Sequence, residues 1–174
     1  AARCWWMLRW LGHDAVAVLD GGWDRWMREQ RPITAEVRPV VPAKFRPGEL
    51  LPVVGSNEVL ANVASRASIV LDARSPERFR GEAEPFDPVA GRVPGATNRP
   101  VGRNLAKDGT FRPAGELRAE LEAMLGSGDP GQVIHMCGSG VTACHNMLAM
   151  EIAGLPGGRL YAGSWSEWCA DPSR

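Results

Sequence analysis

The residues best equipped for chemistry in this 174-residue chain lie in Cys137-Gly138-Ser139-Gly140-Val141-Thr142. A cysteine supplies a nucleophilic sulfur that can accept and pass on a group. Two glycines let the backbone take tight, left-handed conformations. Such conformations turn successive N–H groups inward as a nest for an anion. A helix starting near Ala143 adds free N–H groups and a positive end. These features favour sulfur in its anionic form, bare or carrying a second sulfur, and the Ser139 and Thr142 hydroxyls can add hydrogen bonds. The plainer alternative is a buried, inert cysteine ahead of a glycine-rich turn. The combination of Cys, two Gly and an immediate helix start favours the reactive one.

The flanking sequence supplies elements to hold this loop. Gln132-Val-Ile-His-Met136 predicts a buried strand ending at Cys137, and residues 143–153 a helix leaving it. Ser68-Ile-Val-Leu-Asp72 predicts a second buried strand. Ser75-Pro76-Glu77 combines an N-cap, a proline at the first helical position and an acid in the first turn, so a short helix carrying Arg78 and Arg80 follows. Ser56 is expected to cap a helix reaching about Ala64. Residues 81–104 are rich in Gly and Pro and read as loop. A helix is expected over Pro113–Leu125, with Leu117, Leu121, Met124 and Leu125 on one face. Alternating strands and helices imply an α/β fold with a mainly parallel sheet flanked by helices. Ligands of such sheets sit at the carboxyl ends of the strands, where Cys137 falls.

The chain also contains a broken repeat. Residues 12–26 and 154–168 align without gaps at an offset of 142, matching Gly12/Gly154, Gly21/Gly163, Trp23/Trp165 and Trp26/Trp168. Each copy follows a helical apolar stretch and reads as turn, short strand, Gly-x-Trp turn and short helix. Chance similarity between two αβ units is the competing explanation. On the repeat reading, residues 1–30 are the C-terminal remnant of a first domain whose earlier part is absent. Residues 31–55, with Pro32, Pro39, Pro42, Pro47 and Pro52, form an extended interdomain linker. Residues 56–174 form the second, catalytic domain. Val40, Val41, Phe45, Leu50 and Leu51 suggest that the linker packs along a domain surface. The Trp5/Trp6/Trp10 helix should either dock on the second copy or expose apolar surface.

Composition narrows the function. Hydrophobic residues make up 44% and charged residues 23%, and 20 basic residues balance 20 acidic ones. That argues against a nucleic-acid footprint and a polybasic membrane surface. No apolar run is long enough to span a membrane. Cys4, Cys137, Cys144 and Cys169 form no Cys-x-x-Cys pair and have only His13, His135 and His145 beside them, so a structural zinc site is not expected. Cys144 is read as packing, with a minor alternative as a resolving thiol. His135 and His145 are read as structural. Trp165 and Trp168 are read as core or wall near the loop. Asp72 either pairs with Arg74 or caps the turn after its strand.

The loop is similar to the phosphate cradle of Cys-dependent phosphatases, which need an Arg six positions after the Cys to grip phosphate oxygens. Position 143 is Ala, so phosphate-monoester chemistry is disfavoured. The run Cys137-Gly-Ser-Gly-Val-Thr-Ala-Cys144 instead resembles the active-site loop of the rhodanese superfamily. Leu71-Asp-Ala-Arg74, Arg78-Phe-Arg-Gly81, residues 91–98, Tyr161–Trp168, Arg3–Arg9 and Val18–Trp23 extend that resemblance over the whole chain. It implies a tandem-domain sulfurtransferase of the thiosulfate or 3-mercaptopyruvate type, with its first domain cut short at the N-terminus. Cys137 would take sulfur from a small anionic donor, become a persulfide and pass the sulfur to cyanide or a thiol. Neither metal nor organic cofactor is implied. Gly138, Ser139, Gly140, Val141 and Thr142 would bind the substrate together with Arg78, which matches the family arginine for the donor's anionic group. Arg80 and Arg92 are candidates for a second anion contact, because the run Glu82-Ala-Glu84-Pro85-Phe86-Asp87 is short and lacks the arginine found there in mercaptopyruvate enzymes. A silent, rhodanese-like binding module is the alternative, and Cys137 argues against it. A cytoplasmic setting is expected; the start Ala1-Ala2-Arg3, without Met, leaves a preceding signal peptide open.

Overall fold

The computed structural model describes residues 1–174. Its centre is a five-stranded sheet in which every pairing is parallel. The strands are β1 (Val53–Val54), β2 (Ile69–Asp72), β3 (Thr97–Asn98), β4 (Val133–Met136) and β5 (Arg159–Tyr161), in the spatial order β1-β5-β4-β2-β3. The helices are α1 (Ala2–Trp10), α2 (Gly22–Arg28), α3 (Ser56–Ser65), α4 (Pro76–Arg80), α5 (Ala114–Leu125), α6 (Ala143–Ile152) and α7 (Ser164–Ala170).

Strand β4 lies between β2 and β5 and is buried throughout, as expected of a central parallel strand that is apolar at all positions but His135. Its side chains alternate between two cores. Ile134 and Met136 pack with Val59, Tyr161, Trp165 and Trp168. On the opposite face, Val133 packs with Leu117, Leu121 and Leu125 of α5 and with Ala149 and Met150 of α6. Cys137 continues that second face into a third cluster with Trp5, Trp6, Ala143, Cys144 and Leu148. The α/β architecture with a parallel sheet is therefore as the residue pattern predicts.

Several local expectations are corrected. Gly55, not Ser56, is the N-cap of α3, and Ser56 is its first helical residue. Pro113 is the N-cap of α5, because its missing N–H costs nothing ahead of the first turn. Strands β2 and β4 each begin one residue later than their sequence patterns suggest. The short strand expected between α1 and α2 is absent. Val16 and Val18 pack against the Trp5/Trp6 cluster, but no neighbouring strand offers them a hydrogen-bonding ladder. Its counterpart β5 is a strand because β1 and β4 flank it. The helices of the two copies do correspond: α2 shifted by 142 residues falls on α7.

The linker is also more exposed than expected. Val40 and Val41 stand 87% and 84% exposed, so they do not pack along a surface. The later part is tethered instead: the Gly48 and Leu51 N–H groups donate to the carbonyls of Leu11 and Trp10 at 2.8 and 3.1 Å. Helix α1 docks on the sheet domain, with Trp5 and Trp6 buried beside α6. No helix is long and apolar enough to cross a membrane.

Candidate active site

The site is built by the turn from β4 into α6. Cys137 follows β4 directly, and α6 begins at Ala143. The carbonyls of this turn are held from outside. The Cys137 carbonyl accepts from the Trp165 N–H at 3.0 Å, and the Gly138 carbonyl accepts from both the N–H and the hydroxyl of Ser166, each at 2.9 Å. The Gly140 carbonyl accepts from Arg3 Nη1 at 2.9 Å and from the Cys144 thiol at 3.3 Å. The N–H groups of Gly138 through Cys144, by contrast, donate to nothing within the chain. In a trans peptide the N–H points away from the preceding carbonyl, so anchoring carbonyls on one side leaves amides free on the other. The sulfur-bearing turn thus has the unpaired amides that an anion nest requires, backed by a helix N-terminus whose Thr142 N-cap makes no side-chain capping bond.

Gly140 is required by this geometry. Its φ is +72°, and a Cβ there would lie 2.5 Å from the Ala162 carbonyl oxygen. Gly138 leaves room for the Arg78 guanidinium, which would come within 3.3 Å of a Cβ at that position. Cys137 is 2% exposed and forms the floor of a cleft of about 370 Å³. Arg78, Ser139, Val141, Thr142 and Ser166 line the same cleft, together with Asp87 and Phe86. A second cavity of about 380 Å³ lies between α1 and the loop at Leu155–Gly158, but no cysteine lines it.

The structure brings Arg78 to the loop, but not as an unpaired cation. It ion-pairs with the buried Glu84 carboxylate at 2.6 Å and with Asp87 at 3.4 Å, and it lies 4.9 Å from the Phe86 ring centroid. Burial alone would raise the Glu84 carboxyl, but hydrogen bonds from Arg78 and the Phe86 N–H outweigh it and hold Glu84 below its ordinary range. Arg80 and Arg92 lie outside the cleft. Arg80 is taken up by the exposed Glu82 at 2.6 Å, and Arg92 stacks 5.1 Å from the Phe79 ring and reaches the Phe79 carbonyl.

Behind Arg78, Asp72 both pairs with Arg74 and caps the turn. One carboxylate oxygen accepts from the Arg74 N–H at 2.9 Å, while the guanidinium sits 2.8 Å from the other. Arg74 also reaches Glu84 at 3.3 Å and stacks 4.7 Å from the Trp165 ring, so one buried chain of charges runs from β2 to Arg78. Trp165 and Trp168 are buried core residues. Cys144 is buried in packing: burial pushes its thiol up to about 11, against an opposing pull from Arg3.

Four contributors escape sequence reasoning. Ser164 adopts a left-handed φ of +53°, accepts from the Cys137 N–H at 3.1 Å and donates to the Tyr161 carbonyl at 2.8 Å. Ser166 anchors Gly138. Both lie in the Gly-Ser-Trp-Ser run, where the repeat singles out Gly163 and Trp165 but neither serine. Asp87 carries no local signal of its proximity to the loop. Arg3 reaches Gly140 from 137 residues away.

A rhodanese-like domain model matches residues 56–171. The whole chain is 44% identical to 62% of a Pseudomonas aeruginosa protein named "Probable 3-mercaptopyruvate sulfurtransferase". It is 38% identical, over 97% of its length, to 58% of mouse thiosulfate sulfurtransferase. The crystal structure of the Tum1 protein from Saccharomyces cerevisiae superposes on 99% of the chain with a TM-score of 0.82 and 31% identity, covering 64% of that protein. The chain therefore spans about three fifths of the length of the curated relatives it matches.

Proposed function

The chain belongs to the rhodanese-like domain family, and from that premise we propose that it carries the catalytic domain of a sulfurtransferase, over residues 56–174 together with β1 (Val53–Val54), which the expected linker over residues 31–55 contributes to the sheet, with residues 1–30 derived from a preceding domain of the same family and the rest of that linker joining them. Cys137 is the nucleophile. Its thiolate attacks the outer sulfur of thiosulfate, forming a Cys137 persulfide as the donor's S–S bond breaks and sulfite leaves. With 3-mercaptopyruvate the carbon–sulfur bond breaks, the donor's thiol proton ends on carbon, and pyruvate leaves. Cyanide then takes the terminal sulfur as thiocyanate, or a thiol takes it as a persulfide, and the Cys137 sulfur is regenerated.

The observation that carries this reading is the run of unpaired main-chain N–H groups from Gly138 to Cys144. Both the thiolate and the persulfide are anions, and fixed dipoles stabilise each without rearrangement. Arg78 binds the donor's anionic group, and Ser139 and Thr142 supply hydroxyls at the cleft. The four cysteines are free thiols, which suits a reducing cytoplasm. Intact-mass measurement tests the reading. Exposure to thiosulfate or 3-mercaptopyruvate should add one sulfur atom, removable by cyanide, and Cys137→Ala should add none. Failure of the wild-type chain to gain sulfur from either donor would overturn it.

A further inference from the structure

We propose that Arg3 is a positioning residue for the Cys137 loop, acting through the Gly140–Val141 peptide. This rests on the sulfur-transfer reading above for its consequence, but not for its geometry. Arg3 belongs to α1 and crosses to the loop, where Nη1 donates to the Gly140 carbonyl at 2.9 Å. Its guanidinium lies 5.2 Å from the Trp6 ring centroid, and Trp6 is buried and stacks on Trp10 at 5.8 Å. The arginine is therefore held in place by an aromatic platform of its own helix.

The other donor to that carbonyl is the Cys144 thiol, which is weak. Gly140 sets no steric limit on its own side of the peptide unit that joins it to Val141, so resistance to that unit turning over falls to the Val141 φ and to whatever holds the Gly140 carbonyl. If it turned, a carbonyl oxygen would replace the Val141 N–H on the side facing the cleft. An oxygen dipole there repels an anionic sulfur. A charged donor on the carbonyl opposes the turn and also polarises the amide, which strengthens the N–H at its other end. Arg3 thus sets one wall of the nest while touching neither the donor nor Cys137.

The test compares Arg3→Ala, Arg3→Gln and Arg3→Lys in the full 174-residue chain. Arg3→Ala should lower kcat for sulfur transfer from thiosulfate to cyanide by about tenfold while KM stays within about twofold. Lysine should recover more of the loss than glutamine, because it keeps the charge. Alkylation of Cys137 by iodoacetamide at fixed pH, followed by peptide mass, should slow in the same order. That measurement needs no sulfur donor, so it reads Arg3 even if the wild-type chain takes up no sulfur. Arg9→Ala serves as a control: it removes the 3.6 Å pair with Glu151 that also ties α1 to α6, and leaves the Arg3–Trp6 platform and the loop in place. Wild-type alkylation rates in Arg3→Ala would overturn the proposal. So would a loss confined to KM, or an equal slowing in Arg9→Ala.

Discussion

At the scale of single residues, the cleft is less cationic than its arginine suggests. Arg78 faces Glu84 and Asp87 together, and Asp87 lines the cleft that a donor must occupy. Glu84 is buried and also serves Arg74, so it belongs to the framework. Asp87 competes with the donor for the guanidinium. Replacing it by Asn keeps the shape and removes one negative charge a few ångströms from the bound anion. Asp87→Asn should lower the donor KM by roughly three- to tenfold, with a larger effect for thiosulfate, which carries two charges, than for 3-mercaptopyruvate. Steady-state rates with the two donors in parallel check this; an unchanged KM for both would show that Asp87 does not contest the site. The sequence made Cys137 and its glycines legible because their chemistry is local. It could not show Arg78 already paired, since nothing in the residues at 84 and 87 reveals that the loop folds back onto α4.

Among the elements, the helices with local punctuation were the most legible. Ser75-Pro76-Glu77 starts α4 as written, with the Ser75 hydroxyl accepting from the Arg78 N–H, and the leucine stripe of α5 is buried as its spacing requires. Strand status was less legible between α1 and α2, because a strand needs a neighbour and the residues alone do not supply one. Strand β4 carries a further consequence. His135 is fully buried, and neither ring nitrogen has a hydrogen-bond partner. Burial, reinforced by Arg99, pushes its pKa down to about 3. The unfolded chain, with an ordinary histidine, binds the proton near pH 6.5, whereas the folded chain refuses it. Stability is therefore intact above about pH 6.5 and falls with pH towards 3, by up to about 1.4 kcal/mol per pH unit from this group. His135→Leu should flatten that slope between pH 6.5 and 4.5 and cost little at pH 7, since it removes two unsatisfied polar atoms. Urea titrations of both proteins across that range measure it, and parallel slopes would contradict the assignment.

For the whole molecule, the decisive feature is that the first helix is attached to the rest by packing as well as by the chain. Residues 31–51 are all exposed and form no helix or strand, whereas Trp5 and Trp6 are buried. Asp20 accepts from the Phe111 N–H at 2.8 Å, and Arg28 donates to the Asp108 carbonyl at 2.7 Å. Brief trypsin treatment should cut first after Lys44, because Arg31, Arg38 and Arg46 are each followed by a proline that blocks the enzyme, and the leading fragment should still elute with the larger one on gel filtration until denaturant is added. Separation of the pieces without denaturant would show that the docking is weak. The same arrangement imposes an order on the chain's birth. The tryptophan face of α1 leaves the ribosome 137 residues ahead of the turn that Arg3 will grasp. At common elongation rates that is a wait on the order of ten seconds. Through that interval the aromatic surface lacks the α6 half of its lasting cover, so the reactive turn acquires its final shape only once α6 has emerged and met a helix made long before it.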